Sequence, residues 1–276
     1  MSAGLSVGKG RRVARQAAHS SAMDAAARWG LAARGVLYVL IGLLALQIAF
    51  GDGAAQADQA GAIQEVSQEP FGAAVVWAVG IGLAGMALWR LSEALFGASG
   101  PDGHRASHRA VSGARFVVYA FLAYSVLRFA TGGGSGSSDA RSQDFTARAL
   151  ELPAGRWLVG AAGLAVLAAG LYIAAKGLRR KFREELKLSA MSRRQRKVVD
   201  FLGVVGGVCR GVVFAAAGVF VLQAAWTADP DEAKGIDQTL RGFADTPAGP
   251  WLLAAIAVGL ALFGAFSLAL ARWRRV

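Results

Sequence analysis

A single cysteine, Cys209, stands in 276 residues, which excludes an intrachain disulfide framework and leaves that residue to be read as a small apolar side chain. The sequence has no H-E-x-x-H, no G-x-S-x-G and no Walker loop, and no histidine neighbours Cys209 to activate it. The glycine- and serine-rich run at 131–138 lacks both the Lys-Ser/Thr ending and the preceding strand of a phosphate loop, and reads as a linker. His104 and His108 are four residues apart with Asp102 nearby, but Pro101 and Gly103 mark a wet loop, so no metal site is assigned there. Charge is scarce as well: 17% of the residues are Asp, Glu, Lys or Arg, against 55% hydrophobic. No enzymatic activity and no cofactor are expected.

The apolar residues are concentrated in six blocks, 31–50, 71–91, 116–130, 157–175, 201–226 and 251–271. Most are near the roughly 20 residues needed to cross a ~30 Å hydrocarbon core. The block at 116–130 is short unless the helix begins earlier, with Arg115 snorkelling toward the headgroups. The first block is too long, and too far from the start, for a signal sequence, and is expected to be retained. The net charge of +12 is sorted by connection rather than spread. Lys and Arg crowd the N-terminal tail, the second connection, the fourth connection from Lys176 to Lys197, and the C-terminus. The intervening loops carry Asp52, Asp58, Glu65 and Glu69, then Asp139, Asp144 and Glu151, then Asp229, Asp231, Glu232, Asp237 and Asp245. This alternation predicts a multi-pass membrane protein with both termini and the even-numbered connections on the cytoplasmic side. The basic excess is read as a topology and anionic-lipid signal, and nucleic-acid binding is not expected for want of interleaved aromatics.

The spans repeat. Gly30, Arg34, Gly35, Tyr38, Gly42 and Gln47 recur at identical spacing as Gly206, Arg210, Gly211, Phe214, Gly218 and Gln223, five of the six identical. The middle copy keeps Arg115 and Tyr119 but has Val111, Phe116, Ala123 and Arg128 at the other positions. The second half of each copy restarts as Pro70-Phe71-Gly72, Pro153-Ala154-Gly155 and Pro247-Ala248-Gly249, with Pro expected in the first turn of a helix and Trp77, Trp157 or Trp251 as an interfacial anchor. Short amphipathic stretches at 62–68, 145–150 and 236–243 precede these restarts and are expected to lie on the outer surface. The fold expected is an all-α integral membrane protein, six transmembrane helices arranged as three parallel two-helix repeats with pseudo-threefold symmetry. Its divisions are a basic cytoplasmic tail at 1–27 and repeats at 28–100, 101–200 and 201–276. Three two-span copies opening near Ala-Arg-Gly-x-x-Tyr and restarting at Pro-x-Gly resemble the bacterial membrane-protein family of domain of unknown function 1206 over roughly 28–273. That resemblance supports the fold and implies no activity.

Two sets of polar residues are candidate sites. Arg34, Arg115 and Arg210 at the cytoplasmic mouths either snorkel and anchor their helices or form a basic ring for an anion or anionic lipid headgroup. Gln47, Arg128 and Gln223, thirteen residues further on, either make a polar constriction for a solute or hydrogen-bond between helices and snorkel. Glu93, the remaining intramembrane candidate, is expected in a salt bridge with an arginine. Tyr38, Tyr119 and Phe214 read as packing residues. The segment at 179–187 is expected to continue the fourth span as a helix, and the basic loop at 176–197 to attach to anionic lipid or to dock an acidic protein partner. The function expected is a structural, lipid-interacting or accessory membrane component; the alternative is a small channel or transporter with a polar pathway between repeats.

Overall fold

The computed structural model describes residues 21–51, 56–97, 105–133, 137–244 and 248–274, with side chains from Asp24 onward in the first of these. The described chain forms nine α-helices: α1 Ser21–Phe50, α2 Gln59–Gln68, α3 Gly72–Phe96, α4 Ala106–Ala130, α5 Ser138–Leu150, α6 Gly155–Leu178, α7 Arg193–Thr227, α8 Ile236–Ala244 and α9 Gly249–Trp273. The six long ones are each long and apolar enough to cross a membrane. The three short ones lie between the two spans of successive repeats, so one end of the bundle is acidic and carries α2, α5 and α8, and the other is basic and carries Ser21 and Arg274, the first and last described residues. Most of the N-terminal tail, together with Asp102, His104 and Pro247, lies outside the described residues; His108 is exposed on α4.

Local chemistry sets the boundaries. Asp58 accepts from the Gly61 amide and Ser137 from the Ala140 amide, capping α2 and α5, while Ser192 and Gln195 form a capping box at the start of α7. The Pro-x-Gly restarts work differently from the expected first-turn proline. Phe71 and Ala154 take left-handed φ of 66° and 65°, and the spans begin only at the following glycine. A Cβ on Gly72, Gly155 or Gly249 would stand 2.0, 2.1 or 1.7 Å from the carbonyl oxygen of Val66, Ala149 or Ala244, so only glycine lets the short helix fold back onto the head of its span.

Packing follows one rule: the second span of each repeat lies along the first span of the next, α3 on α4, α6 on α7 and α9 on α1. Within repeats the interfaces are smaller, α1 on α3 and α7 on α9. The third interface of that kind is missing, because α4 and α6 have no packed interface. The helices therefore run α4, α3, α1, α9, α7, α6 as an arc, a pseudo-threefold ring open at its middle repeat. The α4 and α6 spans are also the least buried of the six.

The opening is written in the degenerate middle copy. Helix packing in lipid depends on close backbone approach rather than hydrophobicity, so small residues sit where helices cross. A Cβ on Gly30 would stand 2.6 Å from the Gly82 oxygen and Met86 Cβ, and one on Gly206 would stand 2.4 Å from the Phe263 amide. These are the α1–α3 and α7–α9 crossings. The middle repeat has Val111 at that position, 48% exposed, and the residue at the place of Met86 and Phe263 is Ala169, also exposed.

Candidate functional site

Arg34, Arg115 and Arg210 lie further inside their helices than a helix mouth. They stand sixteen, fifteen and seventeen residues short of Phe50, Ala130 and Thr227, about 22–26 Å from the acidic ends of the helices at 1.5 Å per residue. The carbonyl-capping role expected of basic helix ends belongs to other arginines: Arg28 donates to the Ala271 and Arg272 carbonyls at 3.0 and 2.9 Å, and Arg109 to those of Ala94 and Leu95 at 2.8 and 3.1 Å.

The three equivalent arginines converge with the tyrosines four residues beyond them, which share their helix face. Arg34 and Arg210 each reach not their own repeat's aromatic residue but the tyrosine of the next repeat. Arg34 donates to the Tyr119 hydroxyl at 3.2 Å and to the Ser267 hydroxyl at 3.2 Å, and Arg210 donates to the Tyr38 hydroxyl at 2.8 Å. The Phe263 ring lies between the two guanidinium groups, 5.4 Å from that of Arg34 and 4.8 Å from that of Arg210. By the same rotation Arg115 should reach residue 214, which is phenylalanine and has no hydroxyl. Among the described residues Arg115 makes no hydrogen bond or ion pair, although it stands within electrostatic reach of Arg90, Glu185, Tyr119 and Glu93. Tyr38 and Tyr119, read from sequence as packing residues, are therefore polar partners. The Arg-x3-Tyr spacing carried that signal.

Around this set Glu93 accepts from Arg90 at 2.6 Å and from the Ser112 hydroxyl at 3.2 Å. Glu185 takes Lys176 at 2.5 Å and Arg274 at 3.0 Å. Burial opposes the ionised form of Glu185, and Arg274 and Lys176 outweigh it, holding the carboxyl at about 2. The neighbourhood thus holds six cations, Arg34, Arg90, Arg115, Lys176, Arg210 and Arg274, against two carboxylates, Glu93 and Glu185.

Glu185 belongs to a strap that replaces the expected helical continuation of the fourth span. The α6 helix ends at Leu178, Arg180 turns with a left-handed φ of 52°, and 3-10 turns follow at Lys181–Glu185 and Leu188–Ala190. The strap doubles back across the basic end: the Lys187 amide donates to the Trp273 carbonyl at 2.8 Å, Phe182 stacks edge-on to Phe266 at 5.0 Å, and Arg183 pairs with Asp200. Phe182, Leu186 and Met191 are buried beneath it.

Gln47, Arg128 and Gln223 are all exposed, and no constriction forms. Gln223 donates to Glu232 at 2.9 Å. The reason is angular: thirteen residues turn a helix about 220° beyond three full turns, so a residue thirteen after an axis-facing arginine faces away from the axis. At the acidic end the convergent residues are Asp58, Asp139 and Asp237, all buried and all missed in the sequence. Asp58 accepts from the Ser138 amide at 2.7 Å, Asp139 from the Gln238 amide at 3.3 Å, and Asp237 from the Ala57 amide at 2.7 Å. Each repeat thereby ties to the next. Burial, with Asp237 and Asp58 nearby, raises the Asp139 carboxyl above the usual range, against the amides of Gln238 and Gly235. An acidic residue at the head of each short helix was the available signal.

Comparison with known proteins gives a match to the family model described as Domain of Unknown Function (DUF1206) in three segments, 29–97, 110–180 and 205–274. The chain is 34% identical over 246 residues to a Bacillus subtilis (strain 168) relative described as "Uncharacterized protein YxxB", covering 87% of each chain. No solved structure matches.

Proposed function

The chain belongs to the DUF1206 family, and from its geometry we propose that it is a non-enzymatic, lipid-interacting component of the bacterial plasma membrane, with both termini cytoplasmic, that holds a phosphate-bearing anion against Arg115. The observation that carries this reading is Arg115, without a hydrogen bond or ion pair among the described residues and within electrostatic reach of Arg90 and of Tyr119, the hydroxyl that Arg34 donates to, in a neighbourhood of six cations and two carboxylates. Excess charge taken out of water is costly, and a buried ionisable group usually answers by losing its charge. Arginine cannot, because its guanidinium does not deprotonate in proteins. A counter-anion is the remaining response, and a guanidinium fork fits a phosphate in bidentate fashion. Exposed Arg193, Arg194, Arg196 and Lys197 at the start of α7 add attraction to an anionic leaflet, about 1 kcal/mol per residue near the surface. The same face is the one an acidic protein partner would use.

The channel reading rested on Gln47, Arg128 and Gln223, which do not converge, and nothing else supports it. The test is mass spectrometry of lipid retained by the purified chain and by Arg115→Gln. The variant is expected to retain at least fivefold less anionic lipid; equal retention would end the proposal.

A further inference from the structure

We infer that the open middle repeat is a lateral portal, through which the ligand of Arg115 enters from the bilayer as an intact anionic phospholipid, its phosphate on Arg115 and an acyl chain between α4 and α6. The inference rests on the anion site proposed above and adds the source of the anion and its route.

Four observations converge on it. First, the interface that closes the other two repeats is absent between α4 and α6. Val111 stands where Gly30 and Gly206 permit their crossings, so restoring contact there would drive a branched side chain into a backbone. Second, the faces turned toward the gap are apolar and exposed: Val111 and Val118, seven residues apart, on α4, and Ala169 and Tyr172 on α6. A gap between two spans within the hydrocarbon region is filled by lipid chains, because water there has few partners.

Third, Arg115 is one helical turn from Val111 on the same face, so the cation lies at the rim of the gap rather than behind a packed wall. Arg34, Tyr38, Arg115 and Arg210 all remain partly exposed, whereas Tyr119 between them is buried. Lys176 lies seven residues, two turns, beyond Ala169 on the facing helix, which makes both sides of the rim cationic at its basic end. Fourth, the aqueous approach from that end is obstructed. The strap from Lys181 to Met191 crosses it, pinned by Glu185 on Lys176 and Arg274 and by Phe182 on Phe266. A hydrophobic gap leading to a phosphate-type cation, with the water side strapped over, is complementary to a phospholipid and not to a free inorganic anion.

The experiment uses the full chain, delipidated in detergent, then supplied with mixed micelles of phosphatidylglycerol in phosphatidylcholine or with inorganic phosphate alone. Bound lipid is read by native mass spectrometry, and folding by thermal unfolding. Ala169→Trp, which narrows the portal without touching an arginine, is expected to reduce bound phosphatidylglycerol at least fivefold with unchanged unfolding temperature. Val111→Trp on the opposite lip is expected to do the same, and carries the test if Ala169→Trp does not fold. Unchanged phosphatidylglycerol in both Trp variants, while Arg115→Gln loses it, would overturn the portal and leave the anion site standing. Full retention by Arg115→Gln would remove both. If inorganic phosphate protects the protein as well as phosphatidylglycerol does, through Arg115, the ligand is a soluble anion and the lateral route is wrong.

Discussion

The two ends of the bundle carry the same threefold pattern and finish it differently. At the acidic end, Asp58, Asp139 and Asp237 each accept from a backbone amide of the next repeat, and all three links are made. At the basic end, Arg34 and Arg210 each donate to a tyrosine of the next repeat, and the third link fails at Phe214. The complete ring uses backbone donors, which every residue but proline supplies. The incomplete ring uses a side-chain hydroxyl, which one substitution removes. The first arrangement holds the repeats together, and the second leaves Arg115 without a hydrogen bond or ion pair among the described residues.

The sharpest way to break this comparison is to damage the complete ring. Asp58 is fully buried and accepts from both Gly61 and Ser138 amides, so Asp58→Ala is expected to cost about 3 kcal/mol through unsatisfied buried donors. Thermal unfolding in detergent would show it; a loss under about 0.5 kcal/mol would mean that the ring carries no stability. Next, Gly206→Val places in repeat 3 the residue that keeps repeat 2 open. Its side chain would meet the Phe263 backbone, at an expected cost of about 2 kcal/mol. Val111→Gly, the reciprocal change at an exposed position, should change stability by less than about 1 kcal/mol.

A smaller effect would sharpen the functional half. Phe214→Tyr supplies the missing hydroxyl, and about threefold lower retention of anionic lipid is expected, because Arg115 then has an internal partner. No change in retention would separate Arg115 from the Arg–Tyr pattern. The mildest effects are those of pH, and they have opposite signs at the two ends. Glu185 is held at about 2 against an ordinary 4.5, so its contribution is present above 4.5 and is lost as pH falls toward 2. Asp139 is shifted upward from 3.8, so its contribution is full below 3.8 and is lost as pH rises through its folded value. Hydrogen exchange corrected for intrinsic rates should show the strap at 181–191 loosening on acidification, while α5 does not loosen with it.

Much of the fold was legible because it is local. Hydropathy blocks located all six spans, and the recurrence of Arg34 and Arg210 with their flanking glycines exposed the repeat. The repeat marked Arg34, Arg115 and Arg210 as equivalent positions, but not which tyrosine Arg34 and Arg210 would reach. Of the two readings of Gln47, Arg128 and Gln223, the polar constriction fails for a reason available in the sequence: equal spacing makes residues equivalent to one another, but thirteen residues do not return a helix to the same face. The helical continuation expected at 179–187 gave way to the strap, because pairing Glu185 with Lys176 and Arg274 and burying Phe182 and Leu186 outweighed a polar helix extended into water.

The sequence by itself determined a six-span, three-repeat membrane protein, since span length, hydropathy and charge alternation are properties of neighbouring residues and of the bilayer as solvent. Only the tertiary structure decided which arginine goes without a partner and which repeat stays open. Those outcomes depend on residues that meet across great separations, Arg34 with Tyr119 at 85 residues, Arg210 with Tyr38 at 172 and Asp237 with Ala57 at 180. At such distances the order in which helices pack, not the pattern along the chain, selects each partner.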